Sequence, residues 1–113
     1  MIVPLRETGS VQLDGAGAGV TKVGPVSARE VWHPLIASVL VSSAAADASC
    51  TIYVGSAIYP GAARDSTFTG SSGDTTQAIS ADTLRCGEWI FAVWAAGDPR
   101  AVATLTVTGT KDV

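Results

Sequence analysis

Residues 87–110 read Gly-Glu-Trp-Ile-Phe-Ala-Val-Trp-Ala-Ala-Gly-Asp-Pro-Arg-Ala-Val-Ala-Thr-Leu-Thr-Val-Thr-Gly-Thr, and no other stretch constrains the fold as much. From Trp89 to Ala95 the chain is apolar on both parities, as a strand is when both of its faces are covered. After a Gly97-Asp98-Pro99 turn, Ala101, Ala103, Leu105 and Val107 alternate with Val102, Thr104, Thr106 and Thr108, the period of a strand with one buried face. Two such strands joined by a turn read as a hairpin, and they need a second sheet to cover them. The expected fold is all-β, a single-domain antiparallel β-sandwich or jelly roll.

The remaining segments are consistent with that. Ser10–Leu13 and Val20–Val23 alternate around Asp14-Gly-Ala-Gly-Ala-Gly and read as a hairpin with a loose loop. Gly15, Gly17 and Gly19 have the spacing of a phosphate cradle, but Val20-Thr-Lys-Val-Gly-Pro cannot continue as the helix such a cradle requires. Val31–Ser42 reads as a long strand with Val31, His33, Leu35, Ala37, Val39 and Val41 on one face and Trp32, Pro34, Ile36, Ser38 and Leu40 on the other. Pro34 demands an edge or a bulge, because it removes a ladder donor. Residues 44–48 read as a loop, and Cys50–Gly55 as a strand with Cys50, Ile52 and Val54 inward. Between Tyr59 and Ser80 only Ser66–Thr69 and Gln77–Ser80 are strand-like, with a turn at Gly70–Asp74. The expectation is about seven to nine short strands over residues 10–113, preceded by a short N-terminal arm at residues 1–9.

Composition removes several classes of function. With 113 residues the chain holds one core. Charged residues make up 15% and the formal net charge is -3, so the basic stripe that nucleic-acid backbones require is missing. No basic segment leading into an apolar run opens the chain, so no signal peptide is expected. The run from Val31 to Val41 is too short and too polar for a membrane span. Cys50 and Cys86 match no metal half-site or redox motif; they read as buried free thiols, with a strand-to-strand disulfide as the alternative.

Catalytic chemistry is expected to be absent. His33 is the sole histidine, and it sits in a strand among apolar residues. Asp47, Asp65, Asp74, Asp82 and Asp98 fall one per loop, where carboxylates are solvated turn residues and not cation ligands. Glu30 and Glu88 are the only strand-borne candidates for a glycosidase pair, and they read as strand-end charges paired with Arg29 or Arg85. No enzyme, cofactor or metal site is expected. The aromatics carry more information. Trp32, Tyr53, Trp89 and Trp94 are the candidate interface or glycan platform, with Tyr59 a further ring for a sugar-stacking surface. Trp89 and Trp94 differ in parity and must point to opposite faces of one strand.

The segments Gly24–Pro34, Cys50–Gly55, Phe91–Pro99 and Thr104–Thr110 resemble small virion structural proteins encoded by tailed phages of actinobacteria. The absence of Asn and the five Arg against two Lys suit a GC-rich source. The resemblance implies a non-enzymatic component of the particle, decorating the head or sitting in the tail. Its partners would be copies of itself and other capsid or tail subunits, and its location the virion after synthesis in the host cytoplasm. A carbohydrate-binding module at the tail tip, reading host cell-wall glycan through an exposed Trp or Tyr, is the alternative.

Overall fold

The computed structural model describes residues 1–43, 46, 48–65 and 74–113. In chain order the strands are β1 (Ile2–Gln12), β2 (Gly19–Val23), β3 (Val31–Val41), β4 (Ser49–Gly55), β5 (Ala63–Asp65), β6 (Asp74–Thr76), β7 (Trp89–Ala95) and β8 (Val102–Asp112), with one 3-10 turn at Pro60–Ala62. They form two antiparallel four-stranded sheets, β1-β8-β3-β6 and β2-β7-β4-β5. The order follows one rule: first pairs with last, second with seventh, third with sixth, fourth with fifth. The chain is therefore one antiparallel ribbon doubled back at β4–β5. It is wrapped so that β8 also meets β3 and β7 also meets β4. This is the jelly-roll form of the expected sandwich.

The wrap corrects two expected hairpins. β7 lies between β2 and β4 in one sheet, whereas β8 lies between β1 and β3 in the other, so Gly97–Pro99 carries the chain across the sandwich. β1 and β2 are separated in the same way. A strand's burial pattern is the same whichever neighbour it bonds, so alternation reveals strands and not partners.

The arm expected over residues 1–9 is strand instead. β1 pairs with β8 without a register break from Ile2–Asp112 to Gln12–Val102. Pro4 obscured it. Val113 N–H donates to the Met1 carbonyl at 3.0 Å and Leu13 N–H to the Ala101 carbonyl at 2.8 Å. Odd-numbered residues of β1 therefore exchange hydrogen bonds with β8, and even-numbered ones turn their amides outward. The Pro4 nitrogen faces the free edge, where no donor is missed. Gln77–Ser80 is also corrected: it is a turn closed by Ser80 N–H to the Gln77 carbonyl, with Ile79 buried in the core. Ser66–Thr69 and residues 70–73 of the expected turn lie outside the described residues, and Asp74 opens β6.

Ala37, Val39 and Val41 of β3 and Ala103, Leu105 and Val107 of β8 face Cys50, Ile52 and Val54 of β4 and Ile90, Ala92 and Trp94 of β7 across the core. Full burial of each Leu, Ile or Val here stabilises by roughly 1.5–3 kcal/mol. Pro34 is accommodated by a bulge, as one of the two expected solutions. The β3–β8 register slips between Pro34 and Ile36, and this extra residue reverses the parity of the strand. Trp32 and Pro34 point inward before it, Ala37 and Val39 after it, while His33 and Leu35 are exposed. The single face expected for Val31, His33, Leu35, Ala37, Val39 and Val41 is thus split in two.

At one end of the sandwich the crossing loops interlock. Gly97 N–H donates to the Gly17 carbonyl at 3.0 Å, and the Asp98 carboxylate accepts from Ser43 Oγ at 2.8 Å and Ala46 N–H at 3.2 Å. Gly17 has φ +75, and a Cβ there would press into the Gly97 backbone. Both the dihedral and the space require glycine.

Candidate functional site

The outer face of the β2-β7-β4-β5 sheet brings together Tyr53, Trp89 and Phe91. Along β7, Ile90, Ala92 and Trp94 join the core, so Trp89, Phe91 and Val93 point away from it. Register supplies their neighbours. Lys22 of β2 and Tyr53 of β4 lie directly across from Phe91, and Val20 and Thr51 directly across from Val93. The result is an apolar patch in which Phe91 is only 7% exposed and Val20 is 48% exposed. Lys22 sits over it, with its Nζ 4.2 Å from the Trp89 ring centroid. A cation in this position is held by the ring's negative face.

Of the four aromatic candidates, the structure brings Tyr53 and Trp89 together and removes the other two. Trp32 and Trp94 are 3% and 1% exposed, and their rings are not a platform. The parity argument for Trp89 and Trp94 holds. Trp32 was misassigned because the bulge reversed its strand's phase. Trp32 also bridges through its backbone to Leu84 and donates its Nε1–H to Glu30 at 3.4 Å. Phe91 and Lys22 were missed; a strand apolar on both parities implied that one apolar row faces outward, but not that it is the row of Phe91.

The acidic residues have structural roles. Glu30 pairs with Lys111 at 3.0 Å, which, through that hydrogen bond, holds its carboxyl below the ordinary value. Glu88 accepts the Arg85 backbone N–H at 2.8 Å. Neither makes the ion pair expected with Arg29 or with the Arg85 side chain. Asp82 is clamped by Arg64 at 3.0 Å, and Asp65 accepts from Thr76 Oγ1 at 2.8 Å. Asp14 accepts from the amides of Ala16 and Ala18, bonds that lower its carboxyl pKa and shape the β1–β2 turn. Asp47 lies outside the described residues. His33 is exposed. Among the described residues no three His, Cys, Asp or Glu side chains cluster as metal ligands.

Both cysteines are free; Cys50 is buried, as expected, but Cys86 is exposed. An aromatic disulfide reagent is expected to modify one thiol per native chain, at Cys86, and a second only after unfolding; two fast thiols would contradict this burial. Burial pushes the Cys50 thiol up from its ordinary 9.0 to about 12. Between these values the unfolded chain has released this proton and the folded chain has not, so stability should fall as pH rises from 9.0 toward 12. The slope is at most about 1.4 kcal/mol per pH unit. Denaturant midpoints of wild type and Cys50→Ala across that window check it: the variant should lack this component.

No family model matches the chain, and neither does any curated protein or solved structure.

Proposed function

We propose that the chain is a non-enzymatic structural subunit of a tailed bacteriophage particle, assembling as a β-sandwich onto the head shell or the tail. The observation that carries this reading is the jelly-roll wrap, an architecture that viral capsid proteins and lectins use repeatedly. Fold analogy gives only a class; the surface supports the choice within it. A low charged fraction, an apolar outer face around Phe91 and a long free edge at β1 suit a subunit whose surfaces are covered in an assembly. Sedimentation of the purified chain, alone and with isolated shells or tails, tests the reading. A stable oligomer or co-sedimentation is expected; a monomer that binds neither overturns it.

Glycan recognition is the second reading, favoured by the shared outward face of Tyr53 and Trp89. Lys22 already occupies a position over the Trp89 ring, so a sugar stacking there has to displace it. A cell-wall glycan array with wild type, Tyr53→Ala and Trp89→Ala tests this reading. Binding lost in both variants supports it, and no binding by wild type removes it.

A further inference from the structure

We propose that the outer face of the β1-β8-β3-β6 sheet binds a single uronic acid residue in a groove between Arg6 and Leu40. The site lies on the sheet opposite Tyr53 and Trp89 and goes beyond both readings above, neither of which uses it. Strand parity builds it. Ala103, Leu105 and Val107 of β8 and Ala37, Val39 and Val41 of β3 belong to the core, so Thr104, Thr106, Thr108, Ser38 and Leu40 face outward. Leu5 of β1 is buried too, which turns Arg6 to the same outer face. Register sets Arg6 beside Thr108, Ser38 beside Thr106 and Leu40 beside Thr104. Two long side chains thus stand at opposite corners of a floor of short hydroxylated ones, and the trough between them has a volume of about 250 Å³.

The lining selects the ligand. Arg6 is its only charged residue, and no carboxylate lines it. Among the described residues the Arg6 guanidinium has no ion pair, and the hydroxyls of Ser38 and Thr108 have no hydrogen-bond partner. The Thr104 and Thr106 hydroxyls bond to Ser10 at 3.2 Å and to Thr8 at 3.4 Å, which fixes their direction and leaves each with a lone pair to spare. A guanidinium fork holds a carboxylate through two parallel hydrogen bonds. Hydroxyls that both donate and accept match those of a sugar. Leu40, 49% exposed, is apolar surface for the C–H face of a ring to cover.

A bare anion would use only Arg6, and a neutral sugar only the hydroxyls and Leu40. In a uronic acid the carboxylate is attached directly to the sugar ring, so one small ligand reaches all of them. The volume limits the count. It falls just below the range of about 300–1,000 Å³ usual for ligand pockets, which suits one ring and not a chain of them.

Amide NMR of the isotope-labelled chain, titrated with glucuronate, glucose, acetate and inorganic phosphate, tests the site. Glucuronate is expected to bind saturably, with shifts centred on Arg6, Ser38 and Thr104–Thr108, and at least tenfold more tightly than the other three. Arg6→Gln should weaken it about tenfold or more and Thr108→Val about threefold or more. Both side chains face away from the core, so both variants should melt near wild type. No shift with glucuronate overturns the groove and leaves both earlier readings standing. Acetate or phosphate binding as tightly as glucuronate reduces it to an anion contact at Arg6 and overturns the sugar. Glucuronate binding that Arg6→Gln leaves unchanged, or shifts centred on the Trp89 indole instead, overturns the groove in favour of the aromatic face.

Discussion

Replacing Gly109 with alanine is expected to destabilise the domain by about 3 kcal/mol and to lower its melting temperature by on the order of 10–20 °C. Gly109 lies on β8 opposite Pro34, at the start of the β3 bulge. A Cβ there would collide with the His33 carbonyl oxygen and stand 2.9 Å from both Leu35 N and Pro34 Cα. All three obstacles are backbone atoms held by a ladder, so none can rotate aside as a side chain would. Relief requires undoing the bulge, which would move Trp32 and Pro34 out of the interior. Gly15→Ala is the matched control, since its Cβ would meet nothing within 4 Å, and it should change stability by no more than about 0.5 kcal/mol. Thermal melts of the two variants decide the matter, and equal shifts would mean that the bulge does not constrain Gly109.

The second large effect is expected at Trp94. Truncating a large aromatic side chain in a packed core costs about 3–5 kcal/mol, a major part of the total stability of a domain this size. Trp94 is 1% exposed between the sheets, whereas Trp89 lies half-buried on the outer face. Trp94→Ala should therefore leave little folded protein at moderate denaturant, while Trp89→Ala should cost only about 1–2 kcal/mol. Trp94→Phe separates two components of the effect. The indole Nε1–H is buried with no hydrogen-bond partner among the described residues, and a stranded donor costs about 1–3 kcal/mol. Phenylalanine removes that penalty while losing some volume, so the net change should stay within about 1.5 kcal/mol. Equilibrium unfolding of the three variants checks the order: Trp94→Ala well below the rest, with Trp94→Phe near wild type. A Trp89→Ala variant less stable than Trp94→Ala would contradict the assigned faces.

Strands were legible in the sequence where periodicity was strong, and partners were not. β4 and β8 were read with the correct inward residues, because hydrophobic alternation responds to the core that all strands share. The pairing of β1 with β8 depends on the wrap of the whole ribbon, and no local pattern records it. β1 itself was hidden because Pro4 and Arg6 break the apolar alternation, although on an edge strand both residues are at home. In β3 the proline signalled a bulge but not the parity change that follows, and Trp32 was placed on the wrong side for that reason. The candidate surface was half legible: Trp89 and Tyr53 were found by type and parity. The Lys22–Trp89 contact needed the β2–β7 register, which sequence alone does not supply.

The nested pairing also sets the order in which the domain can acquire its structure. Ser10 and Thr104 bond across the β1–β8 ladder although they are 94 positions apart, whereas β4 and β5 are close in the chain. Contacts so distant in sequence slow folding, because loop-closure entropy is lost before they form. During translation the innermost pair can form first and each outer pair only later, so β1 emerges first and is the last to find its partner. Until β8 arrives, both edges of β1 are open to a neighbouring nascent chain. Pro4, with no N–H to offer, and the charges of Arg6 and Glu7 then protect the half of the strand that emerges first, and they are of most use before the domain exists.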